Sequence, residues 1–163
     1  MSTPEALNPA TKASHRKAIA PRVPYDARIL VICDDGLISE TLGRMLRTAG
    51  FATESTTSVT TGCDYARSGQ FPVIFVAPVV ADGSWKRLLD VANHYDLGFI
   101  IILIATTFTL AEWAEGLEAG AFDVLDSVHE LPEAGELARR ALWAAYLKGT
   151  VASPDLPISP LAA

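Results

Sequence analysis

The chain has 163 residues, half of them apolar and a fifth charged, with a formal net charge of -6. That is enough to bury one substantial core and too apolar for wholesale disorder. The acidic balance, with no basic run interleaved with aromatics, speaks against non-specific binding to nucleic acid or an anionic membrane.

Residues 1–26 mix Ser, Thr, Ala, Pro and basic side chains without a sustained period, which predicts a flexible N-terminal arm. Arg16, Lys17 and Arg22 have no apolar stretch behind them, so no signal peptide is expected. A domain over 27–149 follows, in which strand-like and helix-like segments alternate. Arg28–Cys33 (RILVIC) is a short β-branched run. Gly36–Ala49 carries Ile38, Leu42, Met45 and Leu46 at helical spacing, with Gly50 as the cap. Phe51–Ser55 reads as a weak strand and Val59–Ser68 as a short helix. Val73–Ala77 (VIFVA) is a continuous apolar strand, and Ser84–Tyr95 a helix with Leu88, Leu89, Val91 and Ala92 on one side.

Phe99–Ala105 (FIIILIA) is the most apolar segment, which predicts a strand at the sheet centre covered on both faces. It is far too short to cross a bilayer. Thr109 and Glu112 form a capping-box pattern opening a helix through Glu118, which Ala119–Gly120 ends. Phe122–Asp126 is a fifth strand, and Pro132 suits the first turn of a last helix ending at Gly149. The remaining residues, 150–163, are proline-rich and read as a flexible tail. Cys33 and Cys63, with no metal-ligand spacing, fit two free thiols in a cytoplasmic protein.

Five β-α alternations with short links predict a three-layer αβα sandwich around a parallel sheet. Function in such sheets gathers at the carboxyl ends of the strands. Here those ends are Cys33–Asp35, Ala77–Ala81, Ala105–Thr107 and Asp126–Ser127. No Gly-rich loop follows the first strand, which leaves a dinucleotide site unsupported. No nucleophile–base pair or metal cluster is visible, so an enzyme is not expected. His94 and His129 stand alone and read as surface residues.

The segments ILVICDDGLISETLGRMLRTAGF, ADGSW and GLEAGAFDVL, in this order and spacing, resemble the receiver domain of two-component response regulators. The resemblance runs from about Arg28 to Lys148 and implies a flavodoxin-like fold with strand order 2-1-3-4-5. It also implies a phosphorylation site: an acidic pair holding Mg²⁺, an acceptor aspartate, a hydroxyl and a lysine, with an aromatic switch residue nearby. In this chain the acidic pair falls on Cys33 and Asp34, with Asp35 one place beyond. The acceptor falls on Ala77, the hydroxyl on Ala105, the lysine on Ser127 and the aromatic on Val124. Ala81 stands where a proline normally precedes Asp82–Gly83.

A receiver so altered is a degenerate one, expected to bind Mg²⁺ weakly or not at all, since hard cations want several carboxylate oxygens. Asp34 and Asp35 could persist as an acidic site; more simply, Asp34 would satisfy loop amides and Asp35 would start the helix. Asp82 reads as a turn or helix-cap residue. Cys33 reads as a small apolar side chain whose thiol the neighbouring aspartates hold protonated. Trp113 on the fourth helix and Arg139, Trp143 and Tyr146 on the last suggest an interface, because interface centres favour Trp, Tyr and Arg. On the side that pairs subunits in receivers, this points to a homodimer through the last two helices.

The function expected is therefore that of a phosphorylation-independent protein-interaction module in signal transduction, without nucleic acid or membrane. No output domain lies within the chain, so an effect would pass through a protein partner. The alternative is a flavodoxin-like module holding a flavin or other small molecule at the vacated strand ends.

Overall fold

The computed structural model describes residues 27–148; the expected arm (1–26) and tail (150–163) lie outside the described residues. Chain order is β1 (Arg28–Ile32), α1 (Gly36–Thr48), β2 (Ala52–Thr56), α2 (Val59–Arg67) and β3 (Val73–Val76). Next come a two-residue ribbon, β4 (Val79–Val80) and β5 (Gly83–Ser84), then α3 (Lys86–Tyr95) and β6 (Ile100–Ala105). The chain continues through α4 (Leu110–Ala119), β7 (Asp123–Asp126), a 3₁₀ turn (Leu131–Glu133) and α5 (Ala134–Leu147).

Five strands form one parallel sheet in the order β2-β1-β3-β6-β7, which is the flavodoxin-like order 2-1-3-4-5 once the small ribbon is set aside. β3, not the more apolar Ile100–Ala105 segment, is the central strand. β6 is nonetheless buried along its whole length, because helices cover it on both faces. Alternation along the strands sorts side chains between two cores. Ile29, Val31, Phe75, Ile102 and Leu125 pack against α1 and α5. Leu30, Ile32, Ile74, Val76 and Leu103 pack against α2, α3 and the inner side of α4.

Local chemistry sets the helix ends. Asp35 caps α1 by accepting from the amides of Leu37 and Ile38, and Ser58 caps α2 through Thr61 N. Thr109 and Glu112 make a full capping box at α4, as their spacing predicts. Gly120 follows α4 at φ +131°, a conformation side chains resist, so the helix ends there. Pro132 lies in the 3₁₀ turn and not in the last helix: with no amide proton, it suits the tighter turn that delivers the chain to Ala134. Among the described residues no helix is long and apolar enough to cross a membrane.

Candidate functional site

Parallel strands with right-handed crossovers bring all the strand carboxyl ends to one edge of the sheet. Register pairs Ile32 with Val76, Val76 with Leu103 and Ala105 with Asp126. Continuing it by one residue sets Cys33 beside Ala77, with Ala105 and Ser127 on the next two strands. The amide of Ala77 still donates to Ile32 O at 2.9 Å, and that of Ser127 to Ala105 O at 2.8 Å. The floor of this edge is therefore two alanines, a thiol and a hydroxyl. Ser127 is buried, and its Oγ lies 3.2 Å from Thr106 Oγ1.

Asp34 is exposed and makes no hydrogen bond or ion pair among the described residues, so it does not satisfy loop amides as its position suggests. Asp35 is committed to the helix cap. No group of three or more His, Cys, Asp or Glu side chains among the described residues could hold a metal ion. Burial pushes the Cys33 thiol up; Asp35 and Asp34 add to this, against a weak hydrogen bond from Sγ to Asp35 O. A protonated thiol is a poor nucleophile. His129 Nδ1 lies 3.0 Å from Asp126 Oδ2, which with the Val128 amide holds the Asp126 carboxyl below its ordinary value. Because Ser127 turns to Thr106 instead, these three do not form a nucleophile relay.

Four apolar side chains near the strand carboxyl ends are exposed: Leu37 in the first turn of α1, Val79 on β4, Leu110 opening α4 and Val128 after β7.

Asp82 has a role that sequence alone places too locally. At the tip of the β4-β5 ribbon it reaches back 23 residues to the start of α2. Its Oδ1 accepts from Val59 N at 2.9 Å, and its Oδ2 from Thr60 N at 3.1 Å and Ser58 Oγ at 2.8 Å. These donors hold its carboxyl well below the usual carboxylate range, the Val59 amide contributing most. The carboxylate thereby fastens the ribbon to a neighbouring helix, in addition to the bond that Ser84 Oγ accepts from Lys86 N at the start of α3.

A depressed folded-state pKa means stability that is present above the unfolded value, about pH 4, and lost as pH falls below it. Asp82→Asn should therefore lower Tm by a few degrees at pH 7, with the gap from the parent closing as pH drops below about 4. Thermal unfolding followed by circular dichroism across that range checks it. A gap independent of pH would mean the carboxylate charge does not matter.

A groove of about 620 Å³ runs beside β7, from Ala105 and Thr106 down to the first turns of α5. Phe108, Trp113 and Leu137 form part of its wall, together with Glu136 and Arg140. Of the four expected interface residues only Trp113 lines it. Arg139 is exposed and bonded to Glu136 at 2.9 Å. Trp143 is half-buried and meets Tyr146 edge-to-face, ring centroids 5.9 Å apart. Tyr146 belongs to the core at 8% exposure. Arg140, one residue along from Arg139, points to the groove; helical spacing from Glu133 and Glu136 was the signal for it.

No protein-family model matches the chain, and no curated protein matches it. Solved structures do. The receiver domain of a CheY-like response regulator from Methanospirillum hungatei superposes with a TM-score of 0.66 at 19% identity, over 76% of this chain and 99% of that one. The signal receiver domain of an HD domain-containing protein from Pseudomonas fluorescens gives 0.68 at 17%, over 80% and 96%. An orphan response regulator of H. pylori gives 0.62 at 15%, over 74% and 99%. The described residues carry the fold of the response regulator receiver domains.

Proposed function

We propose that this chain is a receiver-type signalling module that acts by contact with a protein partner and not by accepting a phosphoryl group. The observation that carries this is the composition of the strand-end floor. Ala77 directly follows β3, where the resemblance puts the acceptor, with Ala105 and Ser127 in the hydroxyl and lysine places. An alanine methyl cannot attack phosphorus, and an edge with one uncommitted carboxylate, Asp34, holds Mg²⁺ poorly. The apolar rim of Leu37, Val79, Leu110 and Val128 supports a contact role for the same edge. The side formed by α4, β7 and α5, with its open groove and exposed Trp113, supports a second contact surface.

Incubation with acetyl phosphate and Mg²⁺, followed by intact-mass measurement, should leave the mass unchanged, and Mg²⁺ alone should not move Tm. A stoichiometric, acid-labile phosphoryl group on any aspartate would overturn the proposal.

A further inference from the structure

The groove beside β7 has a charge pattern that selects among partners. Five carboxylates line it, those of Asp123, Asp126, Glu130, Glu133 and Glu136, against one lining cation, Arg140; from outside the lining Arg139 bonds Glu136 at 2.9 Å and His129 bonds Asp126 at 3.0 Å, which leaves a negative excess. β7 is also an edge strand, but its edge is not free to take up another strand. The amide of Val124 donates to Asp123 Oδ1 at 2.7 Å, and that of Asp126 to Glu130 Oε1 at 2.9 Å. Side-chain carboxylates thus occupy backbone donors that an added strand would need. What the groove offers is acceptors, negative charge and aromatic faces.

We propose that this groove receives a lysine- or arginine-bearing segment of a different protein, and that a second copy of this chain does not occupy it. This rests on the contact reading above and names the partner's chemistry. Basic side chains are donors without acceptors, the complement of such a lining. Their cationic heads are also attracted to the faces of Trp113 and Phe108. Self-association meets the opposite situation. A two-fold dimer lays the same patch against itself, so an excess of carboxylates would face its copy, and like-charge juxtaposition is costly. The aromatics of the last two helices suggested such a dimer, but the acidic lining between them is a poor match for it.

The test uses the full chain and two fluorescein-labelled eight-residue peptides, one alternating arginine with leucine and one alternating glutamate with leucine. Fluorescence anisotropy should show the arginine peptide binding, more weakly as salt rises, and the glutamate peptide not binding. Glu133→Lys combined with Glu136→Lys should weaken binding roughly tenfold. Because those residues sit at a helix start and could perturb folding, Arg140→Glu serves as the second variant, and it should tighten binding. Asp90→Lys, exposed on α3 and outside the groove lining, should change little.

Equal binding of both peptides, or an Asp90→Lys effect as large as that in the groove, overturns the proposal. So does a dimer in sedimentation that Trp113→Glu dissolves; that result would leave the contact reading standing. Phosphorylation in the mass assay would do the reverse, removing the contact-only reading while leaving the peptide result intact.

Discussion

Replacing Phe75 by alanine should destabilise the domain by about 3–5 kcal/mol, the largest loss expected from any single truncation in the core. Phe75 lies on the central strand, has no solvent exposure, and is the bulkiest of the fully buried side chains. Its ring projects into the core shared with α1 and α5, between Val31 on one neighbouring strand and Ile102 on the other. The strand is held on both sides by the ladder, so the backbone cannot collapse into the space left behind, and the cavity term persists. Against a total stability of about 5–15 kcal/mol, the loss is a large share. Urea unfolding monitored by circular dichroism would register it as a lower midpoint at unchanged slope, and Tm should fall by roughly 10–20 °C. A shift within a degree or two would mean the sheet can close over the gap and that the core is not tightly packed.

The fold was legible in the sequence because its strongest signals are periodic. The β-branched runs from Arg28, Val73 and Phe99, separated by helical spacings, gave the alternation, and the handedness of crossovers gave the parallel sheet. Strand ends came out one residue early or late, since where a strand stops depends on ladder pairing that no single segment contains. The misplacement of the sheet centre has a similar cause. Hydrophobicity reports burial, which β6 has in full, but it does not report how many strands lie to either side.

The site was less legible, in an instructive way. Aligning Cys33, Ala77, Ala105 and Ser127 with the strand ends needed only counting from nearby motifs, and the register puts them at one edge. Asp82 was read as a local cap because sequence shows only near neighbours, whereas its donors come from 22 to 24 residues earlier. Arg139 and Arg140 are adjacent in sequence and diverge by about 100° around the helix. Which of them meets the groove depends on how α5 is rotated against the sheet. That rotation is set by close packing: a Cβ on Gly135 would come within 2.7 Å of the Ala49 Cβ.

On the proposed reading Ala77→Asp supplies an acceptor and nothing else, and it should destabilise the protein by about 2–4 kcal/mol at neutral pH and still leave it unphosphorylated. Ala77 is half-buried and packs against both cores. A carboxylate there loses water and gains no cation, since the strand ends beside it carry Cys33, Ala105 and Ser127. Desolvation raises its pKa above the unfolded value of about 3.9. The folded variant then holds a proton that the unfolded chain has released, so the deficit relative to the parent grows as pH rises through that window. Denaturation at pH 4.5 and 7.5 should show a gap that is larger at the higher pH. Adding Ser127→Lys should recover part of it at pH 7.5, because the ammonium can pair with the new carboxylate; a double-mutant cycle isolates that coupling. Even then no acid-labile phosphoryl group should form from acetyl phosphate, because the edge would offer Mg²⁺ only Asp34 and the new carboxylate. A gap equal at both pH values would assign the loss to bulk instead of charge. Phosphorylation of Ala77→Asp alone would mean that the edge still binds Mg²⁺ and that only the acceptor was missing.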